Sequence, residues 1–247
     1  MGIAFFRFYE ELNDFLPSGE KKVTFEYPFS RNQSVKDAIE ALGVPHVEID
    51  MILVNGNPVD FTYKLKNEDR ISVYPVFETL DISKVSPLRK KPLRYPKFIL
   101  DVHLGRLAKY MRLFGLDTLY SKHLADPEII KISLKEHRII ITRDRNLLKN
   151  KVVTHGYWIR SPKPEVQLRE VLKRFSLKDN LHPFTRCLEC NNILSEIPKE
   201  KIVDRLLPGT KKDFNKFRIC TSCDRIYWEG SHFQSMKDLV EKILISE

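Results

Sequence analysis

Hydrophobic positions along this chain fall into two regimes. In the first, short runs rich in aromatic and β-branched residues read as strands: IAFFRF at 3–8, KVTFEYPF at 22–29, MILV at 51–54 and RISVYPV at 70–76. Between the second and third runs, residues 34–43 carry apolar side chains at helical spacing. Ser34 sits at the N-cap, Asp37 three residues later fills the capping-box place, and Gly43 fits the C-cap. Asn55-Gly56, directly after MILV, is a strong hairpin signal.

The second regime starts at Phe98-Ile99-Leu100, a short apolar strand that ends at Asp101. Leu104, Leu107, Ala108, Met111 and Leu113 then recur at helical spacing up to Gly115. Residues 116–120 could be a second short strand. Asp126 at the N-cap and Pro127 at N1 open a helix carrying Ile129, Ile130, Ile132 and Leu134. Residues 138–144, RIIITRD, read as a buried strand ending in an acid, and Arg145 starts the next helix. Strands alternating with helices predict a parallel sheet, with ligands bound outside the carboxyl ends of the strands. A closing amphipathic helix is expected over residues 236–245.

The ββαββ order of the first regime, with its Val-Asn-Gly turn and late RISVYPVF strand, resembles the ubiquitin-like β-grasp fold and within it the small sulfur carriers. Those carriers act through a free C-terminal Gly-Gly. Here Pro75-Val76-Phe77-Glu78 stands in that place and the chain continues. Carrier chemistry is therefore excluded, and the segment reads as a packing or binding module that could engage a protein partner.

Charge changes the picture. Residues 1–82 hold 8 Lys and Arg against 14 Asp and Glu, while residues 83–247 hold 34 against 19. An acidic module thus precedes a strongly basic remainder, which either draws polyanions such as RNA or DNA or is a solvated basic surface with no partner. Between them lies SKVSPLRKKPLRYPK, with six basic residues, three prolines and no acid. Proline and charge oppose regular structure there. The expected organisation is a β-grasp domain at 1–82, a basic linker at 83–97, an α/β domain at 98–180, and a ribbon with a closing helix at 181–247. The fold class is α+β followed by α/β. No segment approaches the length of a membrane span. No signal peptide is expected at the N-terminus, and a cytoplasmic setting is expected from the cysteine usage.

The only four cysteines form two matched pairs, Cys187-Leu-Glu-Cys190 and Cys220-Thr-Ser-Cys223. Two residues between thiols let a tight turn aim both sulfurs at one ion, so the set predicts a structural Zn(Cys)4 site. A redox pair needs one CxxC beside a βαβ unit, and no cysteine is left over here.

Asp101 and Asp144 each close a strand before a helix, and Asp126 heads the helix between them. Clustered carboxylates suit Mg2+ or Mn2+, which take substrate phosphate as further ligands. The competing reading is that each is a helix cap. Asp117 is a further acid candidate, or else part of a turn. Arg106, Arg112, Arg143 and Arg145 lie near these acids and suit bidentate phosphate contacts, although Arg143 could equally pair with a nearby acid. His103 either touches substrate or is an exposed histidine without a role. Arg225 and Trp228, beside Tyr227, either stack on and hold RNA or pack on the core.

Three stretches carry a more specific resemblance: FILDVHLGRLAKYMRLFGLD at 98–117, ITRDRNL at 141–147, and Arg186-Cys187 through Tyr227-Trp228-Glu229-Gly230-Ser231-His232. Together they resemble the Mut7-C domain, a PIN-like nuclease domain with a zinc ribbon at its end, often preceded by a ubiquitin-like domain. The resemblance implies a metal-dependent ribonuclease. Asp101, Asp126 and Asp144 match the family's acids and would hold one or two Mg2+ or Mn2+ ions, with hydrolysis leaving 5′-phosphate and 3′-hydroxyl ends. The alternative is a non-catalytic RNA-binding or adaptor protein in which the acids serve as caps. The resemblance identifies neither the RNA nor the ubiquitin-like domain's partner.

Overall fold

The computed structural model describes residues 1–75, 88 and 96–245 of the chain. The basic linker expected at 83–97 lies mostly outside the described residues. In chain order the elements are β1 (Gly2–Phe8), β2 (Phe25–Phe29), α1 (Val35–Ala41), β3 (Ile49–Val54), β4 (Asn57–Val59), β5 (Arg70–Pro75), β6 (Lys97–Leu100), α2 (Gly105–Leu113) and β7 (Thr118–Leu119). They continue with α3 (Asp126–Glu136), β8 (Arg138–Thr142), α4 (Arg145–Leu148), β9 (Gly156–Trp158), α5 (Pro164–Arg174), β10 (Ser195–Ile197), α6 (Pro208–Asp213), β11 (Phe217–Ile219), β12 (Ile226–Trp228) and α7 (Ser231–Ile245). The chain divides into two compact units, Met1–Pro96 with Asp126–Trp158, and Lys97–Ala125 with Ile159–Glu247.

In the first unit, five strands form a mixed sheet in the order β2-β1-β5-β3-β4. The central pair β1 and β5 is parallel, and the other pairs are antiparallel. This is the β-grasp arrangement expected from the sequence. Along β1, Ala4, Phe6 and Phe8 are buried at period two, facing α1. Phe6, Phe8, Ile39, Ile52 and Val73 are at most 1% exposed. Each such burial is worth about 1.5–3 kcal/mol, so these side chains carry much of the domain's stability.

Local signals behave as read. Ser34 is the N-cap of α1, and its hydroxyl accepts the Asp37 N–H at 3.1 Å. Gly43, just past the helix, takes φ +99°. Asn55 and Gly56 both have positive φ (51° and 81°), as a type I′ turn between β3 and β4 requires. The same unit contains α3, β8, α4 and β9. Strand β8 is buried along its whole length and pairs in parallel with β9.

In the second unit, β6 and β7 pair in parallel. Helix α2 buries Leu107, Ala108 and Met111, while α5 buries Leu168, Val171 and Leu172. Phe98 of β6 meets Phe175 edge-on at 5.4 Å. Helix α2 stops at Gly115, whose φ is +84°; a Cβ there would lie 2.2 Å from the His182 carbonyl oxygen. Only glycine meets both conditions. Strands β10, β11 and β12 form a three-stranded antiparallel sheet, and α7 follows, longer than the expected 236–245 segment. The region after the β-grasp domain is thus α/β with parallel pairing, ending in a cysteine ribbon. No helix among the described residues is long and apolar enough to cross a membrane.

Candidate functional site

The four cysteines come together as the spacing predicts. Their sulfurs all lie within 4.8 Å of one another. Cys187 and Cys223 stand 3.5 Å apart, and Cys190 and Cys220 stand 3.2 Å apart. Both separations are far longer than a disulfide bond of about 2.05 Å. They approach the roughly 3.8 Å that tetrahedral coordination at a Zn–S distance of about 2.3 Å requires.

The two knuckles are built alike. Cys187 N donates to Asn192 O, and Asn191 N donates back to Cys187 O. Cys220 N donates to Arg225 O, and Asp224 N donates back to Cys220 O. Asn191 and Asp224, each just past a second cysteine, both have positive φ, 74° and 58°. Asn and Asp tolerate that region better than most residues, which explains their place.

The electrostatics fit a cation. Burial pushes the Cys190 thiol up to about 12. Burial also opposes ionisation of Cys187, but the Tyr227 hydroxyl and the N–H groups of Cys190 and Glu189 outweigh it and bring that thiol down to about 6. Several thiols in one place resist ionising together unless a positive ion joins them. The donor set therefore fits a soft divalent metal such as zinc.

The first knuckle is fastened to α2. Arg112 is 3% exposed. Its Nη1 donates to the carbonyls of Leu188 at 2.9 Å and Glu189 at 2.7 Å, and its Nε donates to Thr118 O at 2.9 Å. Arg112, expected to face nucleic acid, directs these donors at backbone carbonyls inside the unit. Asp117 is similarly placed, accepting from Asn191 Nδ2 at 2.9 Å with Arg186 Nη2 at 3.6 Å. The turn reading of Asp117 fits these contacts.

Asp101, also in the second unit, directly follows β6 and is 6% exposed. It occupies an N-cap position, yet its side chain makes no capping bond. Arg106 and His103, close behind it, are exposed.

In the first unit, Asp144 caps α4: its Oδ1 accepts the Asn146 N–H at 2.8 Å, and its own N–H donates to Thr142 Oγ1 at 2.8 Å. Asp126 is exposed at the start of α3. It lines a cleft of about 370 Å3 with Pro127, Ile130, Asn146, Leu147 and Asn150. Asp126 therefore shares an opening with the helix that Asp144 caps.

Arg143 is exposed, whereas Arg145 is half-buried. The Arg145 guanidinium lies 4.1 Å from the Trp158 ring and 5.0 Å from the Phe15 ring. Sequence reasoning missed Phe15 and Trp158, because neither lies beside a candidate site acid or a motif. On the ribbon, Arg225 is exposed and Trp228 is 39% exposed. Trp228 lines a groove of about 650 Å3 together with Phe184, Lys216, Arg218, Tyr227 and Phe233.

These parts define an α/β chain with a mixed ubiquitin-like sheet in front and a four-cysteine ribbon behind. The family model described as Mut7-C RNAse domain matches residues 96–240, more than half of the chain. The model described as Mut7-C ubiquitin matches residues 1–81. The chain belongs to the Mut7-C RNase domain family and carries that family's ubiquitin domain at its N-terminal end. Neither a curated protein nor a solved structure matches it.

Proposed function

We propose that this chain is a ribonuclease that hydrolyses RNA phosphodiester bonds with a divalent ion, Mg2+ or Mn2+, held by Asp101, Asp126 and Asp144. The observation that carries the reading is Asp101. It is a carboxylate 6% exposed, placed directly after the carboxyl end of β6, in a chain of an RNase-domain family. The cleft shared by Asp126 and the residues of α4 adds support.

A bound Mg2+ or Mn2+ would polarise the phosphoryl group and activate a water. The chain's own part is to supply hard carboxylate oxygens from three separate backbone positions, and cations for the phosphate. Among the candidate arginines, Arg106 and Arg143 are exposed beside the acids and suit that role. Arg225 and Trp228 would extend RNA contact onto the ribbon, where the groove offers aromatic faces for bases. The four thiolates are assigned to structural zinc, because a complete set of sulfur ligands leaves no open position for substrate.

The second reading, an RNA-binding or adaptor protein, is favoured by one contact: Asp144 does cap α4. The test is cleavage of labelled single-stranded and structured RNA with Mn2+ or Mg2+, comparing wild type with Asp101→Asn combined with Asp144→Asn. Metal-dependent cutting that the double variant loses is the expected result. RNA bound by both proteins and cut by neither overturns the nuclease and selects the adaptor.

A further inference from the structure

We propose that the ubiquitin-like domain is a positioning element for Asp144, gripping the short segment that carries it through a latch of Phe15, Arg145 and Trp158. The proposal rests on the reading of Asp144 as a site acid, and its structural half stands on contacts within one unit. Asp144 is flanked by two anchored residues. Before it, the Arg143 carbonyl accepts the Trp158 indole N–H at 3.1 Å. After it, the Arg145 guanidinium lies against both the Phe15 and Trp158 rings, whose centroids are 4.8 Å apart. Arg145 Nη1 also reaches the Phe15 carbonyl at 3.4 Å.

Phe15 belongs to the ubiquitin-like domain, where it is 5% exposed within the core. Its carbonyl and ring are therefore fixed points. Trp158 is held by the same domain: its backbone N–H donates to Glu48 Oε1 at 2.6 Å, and Glu48 is fully buried. A third hold is His46, whose Nε2 meets the Val153 carbonyl at 2.9 Å. Helix α4 has only four residues and cannot hold its own first turn rigidly. The flanking contacts supply that rigidity. They leave the Asp144 side chain exposed, with Oδ1 on Asn146 N and Oδ2 without a hydrogen bond among the described residues.

A metal-holding carboxylate has to be placed to within a fraction of an ångström, and neighbours that orient it typically change metal affinity about 10–100-fold. In this arrangement Arg145 acts on Asp144 through the backbone and makes no phosphate contact. The ubiquitin-like domain is then part of the site's support, and loosening it would be felt at Asp144.

The test uses the full chain as wild type, Arg145→Gln, Arg145→Lys and Phe15→Leu. Hydrogen exchange is followed at amides 143–148, and RNA cleavage is followed against Mn2+ concentration. The latch predicts that Gln and Leu each speed exchange at 143–148 by about tenfold, the scale of one partly desolvated cation–π contact, and that amides of β1 and β5 do not change in the Gln variant. It also predicts that the Mn2+ midpoint rises about tenfold or more, that KM for RNA and its salt dependence stay fixed, and that Lys restores part of the effect. Unchanged exchange in both Gln and Leu variants overturns the latch, whether or not the wild type cuts RNA. A raised KM and a shallower salt slope for Gln, with Phe15→Leu silent, would overturn it in favour of a phosphate contact. Faster exchange in a wild type and variant series that cuts no RNA supports the latch and overturns the nuclease reading instead.

Discussion

The Tyr227 hydroxyl stands 3.1 Å from Cys187 Sγ and accepts the Leu188 N–H at 3.2 Å. Burial and the neighbouring Cys187 raise the Tyr227 pKa well above its ordinary value, so the group stays protonated and can donate to a thiolate. It is an outer partner of one thiol of the candidate metal site, anchored to the same knuckle. Tyr227→Phe removes that donor and leaves the ring in place. The expected result is metal binding weakened about 10–100-fold, measured by competition with a chromophoric chelator. Unchanged affinity would reduce Tyr227 to a packing residue.

Arg112 leads to a stability prediction with a built-in control. Its guanidinium satisfies the carbonyls of Leu188, Glu189 and Thr118 from inside the fold. Arg112→Met keeps the stem and strands those carbonyls, at a cost of about 2–4 kcal/mol. Lysine cannot reproduce the fork, so Arg112→Lys should remain destabilised. Denaturant titration reads both variants. Normal stability combined with weaker RNA binding would return Arg112 to the phosphate role.

Much of the architecture was written locally. Ser34, Asp37 and Gly43 framed α1, Asn55-Gly56 turned β3 into β4, and the CxxC spacing brought four sulfurs together. In each case a few neighbouring residues set the backbone, and a one-dimensional pattern suffices. Arg112 and Arg145 were both judged by the acids beside them in the chain. Contacts that the fold gives them lie 76 or more residues away for Arg112's knuckle carbonyls and 130 away for the Phe15 carbonyl. A buried or half-buried arginine meets carbonyls or aromatic faces wherever the fold supplies them, and chain distance does not reveal those. Helix α5 was open to a sequence reading: Pro164 stands at its first turn, and Leu168, Val171 and Leu172 recur at helical spacing.

His46 gives a pH prediction for the first unit. Burial, followed by the Lys36 ammonium, pulls its imidazole below the ordinary value of 6.5, against the opposing pull of the Val153 carbonyl and Glu40. The unfolded chain therefore binds more protons than the folded one between the lowered value and 6.5, and stability rises with pH there. The His46 contribution is full above 6.5 and is lost as pH falls through the folded value. Melting between about pH 7.5 and about pH 5.5 should show a loss that His46→Gln lacks. Parallel curves for the two proteins would count against a buried neutral imidazole.

Metal removal should be felt beyond the ribbon, because the segment that enters the ribbon closes α2. His182 N donates to Phe114 O at 3.1 Å and Phe184 N to Leu113 O at 2.9 Å, capping carbonyls that the helix leaves open. Arg186 Nε adds a bond to Gly115 O at 3.0 Å. The backbone approaches so closely that Gly115 cannot carry a Cβ, since His182 O would lie 2.2 Å from it. Gly115→Ala should therefore cost about 2 kcal/mol or more, from positive φ and from the displaced His182 segment. Chelation at neutral pH should act on the same contacts from the other end. Without a shared ion the four thiols lose their reason to converge, the 182–186 segment loosens, and amides 113–118 exchange faster, while amides of β1 and β5 keep their protection. Gly115→Ala and chelation should be less than additive, because both release one junction. Full additivity would mean that the metal site and the end of α2 are independent, and the ribbon would then be an appendage rather than a support of the fold.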